Sequence, residues 1–318
     1  MATERKPPKL TYWYRHLQWP AAVVLYALLA PPVVLLPRRL AVGLGALTGK
    51  LLFFLLRGLR SSAIRNITNS LPYFTGHPLW DPAWGTPERI AQQLFANLGR
   101  SLVEVMKLYY GLGRPILAGV EFRGMDNFRQ AKGAGKGVIL VTGHCGNWEV
   151  MALSIGTRIE EFAVVARQQP TPFFTEIVRN MREKYGNRVI YSKGAVRETL
   201  AALKRQGVVG ILIDQAVRPT EGVLIDFFGR EAWTGIMPAQ LTAKQGVPLV
   251  PTFVHREGER HVVTFHPPLM APGGDVTEIT RQLTRAIEDH IIQHPTEWLW
   301  HYRRWKRAAE WAPAKPRS

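Results

Sequence analysis

Cysteine is nearly absent from this 318-residue chain, Cys145 being the only one. A single thiol excludes an intramolecular disulfide and every zinc or iron–sulfur centre built on several cysteines. Acidic residues are also few: 24 Asp+Glu stand against 41 Lys+Arg, a formal net charge of +17. A surface of that sign seeks polyanions, whether nucleic acid, phospholipid headgroups or an acidic protein. Three catalytic signatures are missing too: the G-x-S-x-G elbow, the G-x-x-x-x-G-K-[ST] phosphate loop and H-E-x-x-H. Their absence argues against the serine-hydrolase, P-loop and zinc-protease chemistries that use them. No internal repeat or low-complexity tract interrupts the chain. What remains is a folded composition, 46% hydrophobic and 20% charged, long enough for one large core with a small accessory region.

From His16 to Pro37 there is no Asp, Glu, Lys or Arg. The apolar run "WPAAVVLYALLAPPVVLLP" is just long enough to cross a bilayer core, which takes about 20 residues. Arg5, Lys6, Lys9 and Arg15 precede it, Arg38 and Arg39 follow, and Tyr12, Trp13, Tyr14 and Trp19 sit where interfacial aromatics belong. No small-residue cleavage site follows cleanly, so the run reads as a membrane anchor rather than a signal peptide. Pro31-Pro32 would kink it, leaving a bent or re-entrant anchor as the alternative to a full span. The next apolar segment, 40–56, is interrupted by Lys50 and reads as a helix on the membrane surface or packed on the domain. This places the anchor and interfacial helix in residues 1–58 and a catalytic domain in 59–318.

Beyond residue 60 the pattern changes. Residues 86–111 have helical apolar spacing with Thr86-Pro87-Glu88 as the cap, and the Pro-, Gly- and Trp-rich stretch before them, 71–87, reads as a loop. Strands are expected at 137–142, 162–167, 188–192, 208–214, 246–256 and 260–269, with helices at 148–156, 172–185, 195–206 and 276–293. Strands alternating with helices give an α/β fold, a layered sheet with flanking helices.

The stretch "TGHCGNWEV" (142–150) carries the chemistry. His144 falls at the carboxyl end of a strand, the rim where open α/β sheets bind ligands. Gly143 and Gly146 permit a tight turn, and the helix that follows offers free N–H groups to an oxyanion or phosphate. Glu149, five residues on, is placed to bond one imidazole nitrogen and fix its tautomer, leaving the other as a general base. The bland alternative makes His144 a structural turn residue and Glu149 a partner of the helix dipole. Cys145 reads as a small buried residue rather than a nucleophile. His290 and His294 have helical metal-ligand spacing without a third ligand, so a solvated helix face is expected and no metal.

His144-x4-Glu149 within "GHCGNWE" resembles the H-x4-D/E signature of membrane acyltransferases, and more narrowly the bacterial lipid A biosynthesis acyltransferases of the late lauroyl/myristoyl type. The resemblance extends over nearly the whole chain. It takes in the amino-terminal apolar run, "ARQQPTPFFTEIVRNMR" (166–182), "GILIDQ" (210–215), "IDFFGREAWTG" (225–235), "AKQGVPLVPTFVHR" (243–256) and "EWLWHYRRWKR" (297–307). It implies a glycerolipid-acyltransferase-like domain on the cytoplasmic face of the inner membrane. It implies also transfer of an acyl chain from an acyl carrier protein thioester to a hydroxyl of a lipid A precursor, without a cofactor. Another glycolipid or phospholipid acceptor is the near alternative, and a non-enzymatic anchored polyanion binder the distant one. By the same analogy Arg167 and Arg182 bind phosphate on acceptor or donor, with Asn147 and Asp214 on the substrate side. For Arg182 a surface salt bridge, and for Asp214 a structural turn, remain open. The tryptophans and arginines of 297–307 suit either a membrane surface or a segment packed on the domain, and both rank ahead of nucleic acid.

Overall fold

Short runs of β-branched residues build the sheet. Residues reading VILVT, FAVVA and VVGIL form β2 (Val138–Thr142), β3 (Phe162–Ala166) and β5 (Val208–Leu212). With β1 (Glu121–Arg123), β4 (Asn187–Tyr191), β8 (Leu249–Glu257) and β9 (Arg260–Phe265) they make one seven-stranded sheet in the order β1-β9-β8-β2-β5-β3-β4. All neighbours are parallel except β8 and β9. Along β2, Ile139 and Val141 enter one apolar core while Val138 and Leu140 enter the other. That alternation, in a strand buried on both faces, is what a sheet covered by helices on both sides requires. The structure is a computed structural model and describes residues 30–166, 172–191, 194–306 and 308.

The covering helices are α1 (Arg38–Leu55), α2 (Arg57–Thr75), α3 (Pro87–Tyr109), α4 (Arg114–Ala118), α5 (Met125–Gly133), α6 (Trp148–Arg158), α7 (Pro172–Lys184), α8 (Ala195–Lys204), α9 (Met237–Gln245) and α10 (Val276–Gln293). One core packs α4 to α7 against the sheet; the other packs α2, α8, α9 and α10 on the opposite face, and α3 supplies side chains to both. A separate antiparallel hairpin, β6 (Gly222–Phe227) and β7 (Arg230–Gly235), lies outside the main sheet. The mixed α/β architecture is therefore the one expected from the alternating pattern.

Local departures have identifiable causes. The stretch 71–87 is not all loop: α2 runs through Pro72 to Thr75. Phe74 is fully buried against Trp80, Phe228 and Trp300, and this packing outweighs the proline's lost hydrogen bond. His290 and His294 do not form a solvated face either. His290 stacks on Phe253, and His294 stacks on His255 with ring centroids 3.9 Å apart and planes 12° apart. Stacked rings do not converge their nitrogens on one point, and no metal-binding group occurs among the described residues.

Most of the anchor expected at 16–37 lies outside the described residues, together with Tyr12, Trp13, Tyr14 and Trp19; residues 30–35 are helical. Among the described residues no single helix is long and apolar enough to cross a membrane, while α1 and α2 pass that test only as a pair bent by 92°. α1 packs tightly on α3. A Cβ on Gly99 would fall 2.0 Å from the Gly45 carbonyl oxygen, and one on Gly49 would fall 2.0 Å from that of Phe95. The other side of α1 exposes Leu40, Leu44, Leu47, Leu51 and Leu55, a single helical stripe. Gly99→Leu should force the two helices apart at the cost of overpacking, roughly 1–3 kcal/mol, and lower the melting temperature. Gly58→Ala, where nothing lies within 4 Å of the added carbon, should leave the melt nearly unchanged.

Candidate active site

β2 and β5 are parallel neighbours in a register that pairs Val138 with Val208 and Thr142 with Leu212. Two residues past each strand end, that same register brings His144 level with Asp214. The Asp214 carboxylate accepts the His144 backbone N–H through Oδ2 at 2.9 Å and meets His144 Nδ1 through Oδ1 at 2.7 Å. It also accepts the indole N–H of Trp298 at 2.8 Å. An ionised carboxylate only accepts, so Nδ1 carries the imidazole proton and Nε2 keeps its lone pair. The Gln215 amide nitrogen approaches Nε2 at 3.2 Å, and the Trp148 ring stands edge-on with centroids 5.1 Å apart.

The carboxylate on His144 is thus that of Asp214, where the sequence spacing pointed to Glu149. Glu149 belongs to the first turn of α6 and faces α7, where Arg182 forks onto it: Nε to Oε2 at 3.0 Å and Nη2 to Oε1 at 2.6 Å. Both side chains are largely buried, so this is not the surface salt bridge considered for Arg182. The fork uses Nε and Nη2 and leaves Nη1 outside it. Asn147 caps α6, its side-chain oxygen accepting the Val150 N–H at 3.3 Å while its amide donates to Glu104 at 3.1 Å. It is buried and committed to the fold rather than turned to a substrate. Arg167 lies outside the described residues.

The loop between β2 and α6 is braced from behind. Gly146 donates its N–H to the Glu297 carbonyl at 2.8 Å and Cys145 makes a β-bridge with Trp298. Gly146 has φ +56°, and a Cβ there would meet the Val254 carbonyl oxygen at 2.4 Å, so no other residue fits. Trp298 and Trp300 are fully buried and Arg304 donates to the Trp233 carbonyl, so the packed reading of this terminal segment is the correct one. Arg303 and Lys306 remain exposed.

Burial pulls the His144 pKa down, but attraction and hydrogen bonding to Asp214 outweigh it and the net shift is upward. Burial pushes the Asp214 carboxyl up, yet the same imidazole, with the Trp298 N–H, holds it below its ordinary value. Burial raises the Cys145 thiol well above its usual range, which removes it as a nucleophile at neutral pH. His144, Glu149, Arg182 and Gln215 line a cleft of about 470 Å³ whose remaining walls are largely apolar, among them Leu140, Met151, Phe162, Val164 and Val178. That volume falls within the range of about 300–1,000 Å³ common for small-molecule sites.

A buried carboxylate–imidazole pair thus opens on a cleft with apolar walls at the strand ends of an α/β sheet. The chain belongs to the family described as bacterial lipid A biosynthesis acyltransferase, whose model matches residues 8–307. It is 31% identical over 179 residues to the phosphatidylinositol mannoside acyltransferase of Mycobacterium tuberculosis, covering 55% of this chain and 56% of that protein. The chain thus spans little more than half the length of that relative. It is 24% identical over 308 residues to the lipid A biosynthesis lauroyltransferase of Escherichia coli, covering 96% of this chain and 95% of that protein. A third relative, lipid A biosynthesis acyltransferase 2 of Shigella flexneri, is 22% identical over 218 residues, 67% of this chain and 69% of that one.

Proposed function

We propose that this protein is an O-acyltransferase that moves a fatty acyl chain from a thioester to a hydroxyl of a membrane glycolipid, with His144 as general base. The observation that carries the reading is the His144–Asp214 pair facing an apolar cleft. His144 Nε2 takes the proton of the acceptor hydroxyl as its oxygen bonds to the thioester carbonyl carbon. The tetrahedral oxyanion then collapses, the carbon–sulfur bond breaks, and the departing thiolate receives the proton from the imidazolium. Asp214 stabilises that imidazolium. The Trp148 and Glu149 backbone N–H groups, at the start of α6, have no partner within their helix and suit the oxyanion. The apolar walls suit the acyl chain, and Arg182 Nη1 suits a phosphate of donor or acceptor.

The names of the relatives support a glycolipid acceptor in two forms, a lipid A precursor or a phosphatidylinositol mannoside. The net charge of +17 favours an acidic carrier protein as donor. The uncharged run at 16–37 and the leucine face of α1 favour attachment to the inner membrane with the domain on its cytoplasmic side. The test is transfer of a labelled acyl chain from acyl carrier protein to each glycolipid, read by mass spectrometry of the lipids. Acylation of one of them, with an apparent KM that rises with salt while kcat holds, is the expected result. Transfer to neither, or salt-independent turnover with clear preference for coenzyme A thioesters, would remove the acceptor class or the donor respectively.

A further inference from the structure

A second cleft, also about 470 Å³, shares no lining residue with the first and is ringed by arginines. Arg38 and Arg39 enter it from the first turn of α1, Arg100 from α3 and Arg256 from the end of β8. Their charge is only partly matched. The buried Glu104 is shared by Arg256 at 2.7 and 3.2 Å, His261 at 2.9 Å and, more distantly, Arg38 at 3.5 Å. Arg39 holds Glu259, which is exposed at the rim, at 3.1 Å. Burial pushes the Glu297 carboxyl up to about 7, so at neutral pH it is only partly ionised. Arg100 is steadied by Asn97 Oδ1 at 2.6 Å and has no ion pair among the described residues. Burial, and then repulsion from Arg256, lowers its pKa, and attraction to Glu297 and Glu104 only partly offsets this.

The surroundings indicate which anion fits. Val42 and Gly43 of α1 line the cleft, and the same helix exposes Leu40, Leu44 and Leu47 on its outer face. A basic recess beside an exposed leucine stripe matches a lipid, with its phosphate in the recess and its chains along the helix. Guanidinium forks are the side chains best shaped for phosphate oxygens. We propose that this cleft binds the phosphate of an anionic lipid headgroup at a site separate from that of acyl transfer. It also touches the catalytic loop through one residue. The Glu297 carboxylate accepts the Arg256 N–H at 3.0 Å, and its carbonyl accepts the Gly146 N–H at 2.8 Å. The inference stands whether or not the acyl-transfer reading does, because it concerns different residues and is read without activity.

The experiment is flotation of the full-length protein with phosphatidylcholine vesicles, with and without phosphatidylglycerol. The wild type should prefer the anionic vesicles. Arg100→Gln should lose about fivefold of that preference, as expected for about 1 kcal/mol per cation at an anionic surface, and keep its binding to phosphatidylcholine. Arg39→Gln, at an exposed position, should show a loss in the same direction. Arg205→Gln, exposed at the end of α8 and remote in sequence from the cleft, controls for net charge and should change little. Equal losses in Arg205→Gln and Arg100→Gln, or no loss in Arg100→Gln and Arg39→Gln, would overturn the site. A wild-type melting temperature raised by inorganic phosphate and unmoved in Arg100→Gln, without any vesicle preference, would overturn the lipid assignment in favour of a soluble phosphate.

Discussion

His144→Ala is expected to remove nearly all acyl transfer while leaving the fold and membrane association unchanged. A positioned general base contributes roughly 10²–10⁴-fold, and the loss should be at least of that order. The side chain fills no core position, and without it the Asp214 carboxylate still accepts the His144 backbone N–H and the Trp298 indole N–H. The pH profile supplies a second check. Only neutral imidazole accepts a proton, and Asp214 holds the His144 pKa above 6.5, so kcat/KM should rise with pH through a midpoint above that value. Cys145→Ala should keep most of the activity, because the thiol is buried and held protonated. Transfer of a labelled acyl chain, with circular dichroism to confirm folding, decides the matter. Near-normal transfer by a folded His144→Ala protein would end the mechanism, and loss in Cys145→Ala would replace it with a covalent one.

The elements that build the sheet were largely legible because their signals are local. β2, β3 and β5 announce themselves as β-branched runs, and α10 starts and stops at the residues its apolar spacing indicates, with Asp275 accepting the Glu278 N–H as its cap. What escaped was nonlocal. α2 continues through Pro72 because of aromatic packing with side chains up to 226 positions away, Phe74 on Trp300 being the farthest. The β6–β7 hairpin was visible only as the motif at 225–235, without its strand character.

The same divide runs through the site. His144 was placed correctly at a strand end, since a strand, a glycine turn and a helix start can be read along nine residues. Its partner could not be, because that depends on which strands are neighbours. Glu149 is five positions away in the chain but lies on the first helical turn with its carboxylate toward α7. Asp214 is 70 positions away but lies two residues past the end of the adjacent strand, level with His144 in the same register. One signal was available: both residues stand two positions beyond the ends of strands richer in β-branched residues than any others. Trp298, whose indole fixes Asp214, carried no such signal. Its aromatic and basic neighbours suited a membrane surface as well as a segment packed on the domain, and neither reading pointed to Asp214.

Asp214→Asn should test that reassignment most sharply. The carboxylate accepts three donors: the His144 backbone N–H, the imidazole Nδ1–H and the Trp298 indole N–H. An asparagine side chain presents one oxygen and one NH₂ group. Whichever way it turns, a donor faces a donor unless the imidazole shifts its proton to Nε2, which removes the base, and in either case the negative charge that stabilises the imidazolium is gone. In serine-protease triads the equivalent exchange costs about 10⁴-fold in kcat, and a loss of similar order is expected here. The pH profile should move in a defined direction. Without Asp214, burial remains to pull the His144 pKa down, so the midpoint of kcat/KM should fall below that of the wild type. Glu149→Gln loses the ionic half of the Arg182 fork and leaves the Asp214–Nδ1 bond in place. It should therefore raise the KM for the phosphate-bearing substrate more than it lowers kcat, and shift the midpoint only slightly. The measurement is kcat and KM across pH for both variants. A large kcat loss with a displaced midpoint in Glu149→Gln, and a near-normal profile in Asp214→Asn, would return the orienting role to Glu149.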